Sequence, residues 1–153
     1  MEYVGRAQAV VVKNGRILMV RHVQKGREFY ILPGGAIEPG ETPEEAVCRE
    51  LMEECCVSGI ILRKLGEYAY RDGSKVRYTY YMDIGDQEPS LGEDPEIDPE
   101  NPVLCGVEWK AMSELTERDR AYLWAAGLLG MTPFSEELDS WADDISYPAM
   151  QDK

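Results

Sequence analysis

The chain of 153 residues has little positive charge, one histidine, two phenylalanines and no long apolar run. Lysine and arginine together number 16 against 29 aspartates and glutamates, which gives a net charge of −13. A surface this acidic repels nucleic acids and anionic lipids, so neither is an expected partner. No segment approaches the roughly 18 apolar residues that a membrane-spanning helix needs, so no membrane partner is expected either. A phosphate-bearing ligand would need additional positive charge, for which a divalent metal is the obvious source.

The four cysteines form no C-x-x-C pair, which argues against a zinc ribbon or a thioredoxin-like motif. They are Cys48, Cys55, Cys56 and Cys105. Because the first residues lack the basic and apolar regions of a secretory signal, we expect reduced thiols and a cytoplasmic location. The length fits one domain over residues 1–153, of which residues from about 142 to 153 are expected to form a loose tail.

Apolar and β-branched runs between turn residues predict six strands. These cover residues 6–12, 17–22, 28–32, 60–70, 75–84 and 103–110. Helices are predicted over residues 43–55 and 117–129, and a short one over residues 135–141. The turns at Asn14-Gly15 and Asp72-Gly73 join neighbouring strands directly. Such tight connections favour a mixed α+β fold over a doubly wound parallel sheet.

Three glutamates share one face of the first predicted helix. At about 100° per residue, Glu53 and Glu54 lie on either side of Glu50, within about 60° of it. Like charges at these spacings destabilise a helix by roughly 0.2–0.5 kcal/mol per pair, and a hard divalent cation would neutralise them. The pattern is therefore open to two interpretations, a metal-binding platform or a solvated acidic face.

The segment around this helix resembles the signature of the Nudix hydrolase family. It reads Gly35-x5-Glu41-x7-Arg49-Glu50-Leu51-x-Glu53-Glu54-x-x-Val57. Every position matches except Cys56, which stands where the family has glycine. The preceding Tyr30-x-Leu32-Pro33-Gly34-Gly35 is similar to the W-x-L-P-G-G that leads into the family's box. The resemblance covers residues 3 to about 129 in outline, but only the box is specific.

The resemblance implies an α+β fold, a Nudix-like α/β/α sandwich with a mixed β-sheet. It also implies a hydrolase in which water attacks a phosphorus of a nucleoside diphosphate linked to another group, with Mg²⁺ or Mn²⁺ as cofactor. A nucleoside triphosphate, often a modified one, is the expected small-molecule substrate. ADP-ribose or another nucleoside diphosphate sugar is the alternative, and a non-catalytic nucleotide-binding module is a further one. Many members form homodimers, so a homodimer is one expectation for this chain.

The resemblance assigns metal binding to four residues of the box and its lead-in. These are the carboxylates of Glu50, Glu53 and Glu54 and the backbone carbonyl of Gly34. Glu50 and Glu53 are also expected to take part in catalysis. The chemistry is consistent, since metal ions neutralise a pyrophosphate and deliver a nucleophilic water at neutral pH.

The other charged positions of the box are expected to support these ligands. Arg49 would act in catalysis by orienting the glutamates, through an ion pair with Glu41 or Glu50. Gly35 and Glu41 would be structural. The family's glycine lies just past the helix end, where positive φ is common, so Cys56 would cost about 1 kcal/mol if it kept that conformation.

The residue that accepts the proton of the attacking water has two possible origins. In some members of the family it is a glutamate of the box, and in others it comes from a loop before the late strand. Here that loop spans residues 86–100, with Glu93, Glu96 and Glu100 as candidates. Glu100 is preferred because it is nearest to the following strand, although any of the three could belong to a solvated acidic loop.

Substrate contacts are proposed for three further residues. His22, the only histidine, ends the second strand near the Pro-Gly-Gly segment and could contact a phosphate or a base. Tyr68 and Tyr80 belong to a hairpin with alternating tyrosines, which could form a platform for base stacking. The alternatives are a partly buried polar histidine and cross-strand packing of the tyrosines.

Overall fold

The computed structural model describes residues 3–69, 73–92 and 103–125. The elements found there are β1 (Gly5–Lys13), β2 (Arg16–Gln24), β3 (Arg27–Ile31), β4 (Gly34–Ala36), α1 (Pro43–Cys55), β5 (Ile60–Ala69), β6 (Val76–Asp83), β7 (Val103–Lys110), a 3₁₀ turn (Met112–Glu114) and α2 (Glu117–Ala125). The predicted helix over residues 135–141, the predicted tail, and Glu93, Glu96 and Glu100 lie outside the described residues. Neither helix in the described ranges has the length and apolar character needed to cross a membrane.

Strand β1 organises the sheet. It pairs antiparallel with β2 and with β4, and parallel with β6 from Gly5 to Val11. Strands β3 and β7 flank β2, and β5 pairs antiparallel with the outer side of β6. One parallel pair among antiparallel ones makes the sheet mixed, which confirms the predicted fold class.

Buried apolar side chains form a layer on each face of the sheet. Strand β1 supplies both layers, because successive side chains of a strand point to opposite faces. Ala7, Ala9 and Val11 pack in the layer that includes Val47 and Leu51 of α1. The opposite layer consists of Val10, Ile17, Met19, Leu32, Met112, Leu115 and Leu123. Since Leu123 belongs to α2, the two helices lie on opposite faces, as a sandwich requires.

Helix α1 begins at the predicted residue. The Thr42 hydroxyl accepts a hydrogen bond from the Glu45 N–H at 3.1 Å, and the Glu45 carboxylate accepts one from the Thr42 N–H at 2.9 Å. This reciprocal pair is a capping box, and Pro43 occupies the first helical position, where its missing N–H costs nothing. Local sequence alone therefore fixes where the helix starts.

The C-cap of α1 is Cys56, which has φ 60° and ψ 32°. This is the left-handed conformation that favours glycine, so the expected strain at the family's glycine position is present.

We expect Cys56→Gly to raise the free energy of unfolding by about 0.5 to 1 kcal/mol, because relief of strain exceeds the entropy that glycine adds to the unfolded chain. Urea denaturation measures the change. Cys56→Ala is the matched control, since it removes the thiol but keeps the strain; an equal gain in both variants would contradict the explanation.

The Pro-Gly-Gly segment contains a short strand that is not among the six predicted ones. Gly34–Ala36 form the short strand β4, paired with Gln8, Ala7 and Arg6 of β1. An added Cβ at Gly34 would lie 2.3 Å from the carbonyl oxygen of Ala7, so only glycine permits this approach. The two glycines are therefore needed for close packing rather than for a turn.

Candidate active site

The C-terminal half of α1 lies directly against β4. The Gly34 N–H donates a hydrogen bond to Oε1 of Glu54 at 2.9 Å. The odd-numbered residues in and around β4 are the ones that bond to β1. The Ala9 N–H donates to the Pro33 carbonyl, and the Ile37 N–H donates to the Gly5 carbonyl. The N–H and C=O of Gly34 therefore point away from β1, on the side where Glu54 lies. The structure thus brings together two of the predicted metal ligands.

Gly35 makes room for Glu50. A Cβ at position 35 would lie 2.3 Å from Oε2 of Glu50, and the Glu50 side chain is only 14% exposed. Burial raises the pKa of the Glu50 carboxyl, although the Arg49 guanidinium beside it acts in the opposite direction. The predicted structural role of Gly35 therefore has a physical basis, because the missing side chain is the space that this carboxylate fills.

Arg49 connects the charged positions of the box. Its Nε and Nη2 donate to the two carboxylate oxygens of Glu41 at 2.7 and 3.0 Å, and Nη2 also donates to the Ala36 carbonyl at 3.0 Å. Its Nη1 donates to Glu50 at 3.0 Å and to Glu53 at 3.2 Å. The family resemblance implied an ion pair with Glu41 or Glu50, and the structure shows both. The contact with the Ala36 carbonyl was not predicted, because a backbone acceptor leaves no signal in the sequence.

Glu41 and Glu50 respond differently to the same guanidinium. The bidentate hydrogen bond from Arg49 lowers the pKa of Glu41, whereas burial keeps that of Glu50 raised. In turn, Glu41 is the main cause of the raised pKa of Arg49. Arg49 is therefore a permanent cation among carboxylates, and Glu41 is its firmest partner.

Hard oxygen donors surround this end of α1, which is the donor chemistry that Mg²⁺ and Mn²⁺ prefer. The last turn of α1 contains no basic residue, so Glu53 and Glu54 add to the negative charge of the helix dipole at its C-terminus. A cation there would relieve the repulsion. In the part of the chain that the structure describes, no three His, Cys, Asp or Glu side chains are already arranged around one point. Glu50 and Glu53 are held by Arg49 instead.

The residues proposed for substrate contact lie apart from one another. His22 is 8% exposed, and its ring stacks on Phe29 with centroids 5.6 Å apart. Tyr80 is 2% exposed and donates its hydroxyl to Glu44 at 3.1 Å, so no ring face is open for stacking. These observations favour the alternatives to substrate contact, namely a buried polar role for His22 and packing within the fold for Tyr80.

Tyr68 and Tyr80 do not form one platform. Tyr80 faces Lys64 across the pair of strands, whereas Tyr68 faces Arg77. Because Arg77 and Tyr80 are three residues apart on β6 and so point to opposite faces, Tyr68 lies on the opposite face of the sheet from Tyr80, with 44% of Tyr68 exposed. The alternating tyrosines in the sequence therefore do not translate into a shared surface.

Comparison with known proteins agrees with this geometry. The chain matches the NUDIX domain over residues 4–129. A MutT-like protein of Streptomyces ambofaciens is 45% identical over 123 residues, which cover 80% of this chain and 72% of the relative. A MutT NUDIX hydrolase from Burkholderia pseudomallei has a similar structure, with a TM-score of 0.59, 25% identity, and coverage of 81% of this chain and 98% of that one. The chain belongs to the Nudix hydrolase family.

Two relatives bear the names of different activities. An ADP-ribose pyrophosphatase of Methanocaldococcus jannaschii is 33% identical over 92 residues, covering 56% of this chain and 53% of the relative. A putative 8-oxo-dGTP diphosphatase of Bacillus subtilis is 39% identical over 72 residues, covering 46% and 44%. The chain thus spans about half the length of these curated relatives.

Proposed function

We propose that this protein is a divalent-metal-dependent pyrophosphohydrolase that cleaves a nucleoside diphosphate linked to another group. The observation that carries the proposal is the Arg49 network, in which one guanidinium donates hydrogen bonds to Glu41, Glu50 and Glu53. The next residue, Glu54, accepts the Gly34 N–H. Family membership supports it, because Nudix hydrolases generally use divalent metal ions. The three free thiols of Cys48, Cys55 and Cys56 are consistent with a cytoplasmic location.

The residues of the site divide into ligands and supports. Glu50, Glu53, Glu54 and the Gly34 carbonyl would hold Mg²⁺ or Mn²⁺, which when bound neutralises the pyrophosphate and lowers the pKa of an attacking water. Arg49 holds Glu50 and Glu53 in place while Glu41 fixes its other nitrogens. Arg49 contacts Glu50 and Glu53 through Nη1 alone. Those two carboxylates can therefore reorient towards a bound cation while Nε and Nη2 keep their hydrogen bonds to Glu41.

The proton acceptor is proposed to be Glu53 of the box or Glu100 of the acidic loop. Glu53 is supported by its position, since its side chain is 44% exposed and thus accessible to water. Glu100 lies outside the described residues, and its proposed role rests on the family resemblance alone. A carboxylate suits the task because it can accept the proton of an attacking water.

The proposed substrate is a nucleoside triphosphate, including oxidised forms, as the name of the Bacillus relative suggests. ADP-ribose or another nucleoside diphosphate sugar is the second candidate, which the name of the archaeal relative favours. In both cases the reacting group is a phosphoric anhydride, so the same carboxylate platform serves either substrate.

Phosphate release over a panel of both substrate classes tests the proposal. We expect turnover of at least one compound with Mg²⁺, and none when EDTA replaces the metal. Coupled phosphatase and pyrophosphatase reactions identify the product. No turnover of any compound, together with a rise in melting temperature on adding a nucleotide, would instead indicate a non-catalytic binding module.

A further inference from the structure

The C-terminal end of α1 is covered by a segment that follows β6. We call residues 87–92 the strap. An α-helix leaves its last four carbonyl groups without partners inside the helix. The strap supplies two of the missing donors, because the Ser90 N–H donates to the Cys55 carbonyl and the Gly92 N–H donates to the Glu54 carbonyl, each at 2.9 Å.

The beginning of the strap is clamped to the residues that leave α1. Oε1 of Gln87 accepts the Ser58 N–H at 3.0 Å, and Nε2 donates to the Ser58 and Ile84 carbonyls, both at 2.7 Å. The strap is thus attached at one end through Gln87 and at the other through Gly92. Its position relative to α1 is set by hydrogen bonds along its length.

Gly92 makes the closest approach. A Cβ added to it would lie 1.7 Å from the carbonyl oxygen of Glu53 and 2.8 Å from the carbonyl carbon. Gly92 is not among the residues with positive φ, so conformational freedom is not the reason for glycine here. Contact with the backbone of α1 is the reason, and any side chain would force the strap and the helix apart.

The last turn of α1 needs this support. It places Glu53 and Glu54 side by side at the negative end of the helix dipole, with no basic residue in the turn. Both effects favour fraying of the turn. N–H groups aimed at its carbonyls oppose fraying without touching the carboxylates, which stay available to a ligand.

We propose that Gly92 is a positioning residue for the carboxylates of Glu53 and Glu54, an inference that rests on the proposed metal site. The strap contacts the backbone of both residues, and Glu54 must also stay within hydrogen-bond distance of Gly34. A side chain at position 92 displaces the turn that holds them. Residues that orient metal ligands typically change metal affinity by about 10- to 100-fold when they are replaced.

Binding of Mn²⁺ to the whole chain tests the proposal, measured by electron paramagnetic resonance of the free ion. We expect Gly92→Ala to weaken Mn²⁺ binding at least about tenfold and to lower kcat more than it changes KM. Gly85→Ala is the matched control. Gly85 lies between β6 and the strap, with φ +64° and open space around its Cβ position. Alanine there strains the backbone just before the strap without touching α1. This variant should melt at a lower temperature than wild type but bind Mn²⁺ with unchanged affinity.

Unchanged Mn²⁺ affinity in a folded Gly92→Ala protein would overturn the proposal and leave the strap a purely structural role. If Gly92→Ala does not fold, Gln87→Ala loosens the strap at its other end. We expect about threefold weaker Mn²⁺ binding from that variant, and wild-type affinity would again overturn the proposal. A wild-type protein that binds no Mn²⁺ would overturn the proposed metal site itself, which is a distinguishable result.

Discussion

Replacing Glu54 with glutamine is expected to lower kcat/KM at least about 100-fold without destabilising the fold. Glutamine keeps an oxygen that can accept the Gly34 N–H but loses the charge that a metal ion needs. It also removes a like charge beside Glu53 at the negative end of the α1 dipole, so the melting temperature without metal should stay equal or rise. Steady-state kinetics with the best substrate and thermal denaturation measure the two effects.

Glu67→Gln is the control for the loss of one negative charge. Glu67 is an exposed carboxylate on β5, outside the box, and it is paired with Lys64 of the same strand. We expect its kcat/KM to match that of the wild type. Near-wild-type turnover of Glu54→Gln would contradict the assignment of Glu54 as a metal ligand. Lost turnover accompanied by a large fall in melting temperature would point to a structural role instead.

Replacing Arg49 with alanine is expected to lower the free energy of unfolding by about 2 to 3 kcal/mol at neutral pH. The change leaves Glu41 and Glu50 without their cation, although their side chains are only 13% and 14% exposed. Urea denaturation measures the loss. Arg16→Ala is the control, because its ion pair with Glu114 is about half exposed and should contribute less than about 1 kcal/mol.

The loss of unfolding free energy in Arg49→Ala should depend on pH. In the wild type the hydrogen bond from Arg49 lowers the pKa of Glu41, so it stabilises the fold at neutral pH, and this stabilisation is lost as the pH falls through the lowered pKa. The pKa of Glu50 is raised by burial, so its ionisation opposes folding as the pH rises through the raised pKa, and Arg49 counteracts that.

Without Arg49 both carboxyl groups bind protons more readily in the folded state. The difference in unfolding free energy between wild type and variant should therefore shrink as the pH falls from about 7 to about 4. Urea titrations at both pH values check this expectation. A difference that is independent of pH would show that lost packing, and not lost charge, explains the destabilisation.

Much of the site could be predicted because its signals are local. Thr42 and Glu45 lie three residues apart and cap the helix, and the spacing of Glu50, Glu53 and Glu54 follows the helical period. The unfavourable conformation of Cys56 was also predictable, because a position just past a helix end commonly has positive φ.

The features that were missed depend on contacts between distant residues. Strand β4 has three residues and two of them are glycine, so it shows no alternation, and only its pairing with β1 defines it. The tyrosine platform failed because the pairing of β5 with β6 sets Tyr68 opposite Arg77, which points to the other face of the sheet from Tyr80. The strap rests on backbone hydrogen bonds to α1, which leave no pattern in the side chains.

The parallel pairing of β1 with β6 also has a consequence for the order in which the chain folds. Gln8 and Thr79, which are hydrogen-bonded between these strands, are 71 residues apart in the sequence. Closing such a long loop costs more entropy than forming the adjacent β1–β2 hairpin, and long-range pairing slows folding. Helix α1 lies inside this loop, and the strap follows β6. The glutamates of the site therefore gain their complete surroundings only after this long-range pairing has formed, whereas the β1–β2 hairpin can form at the outset.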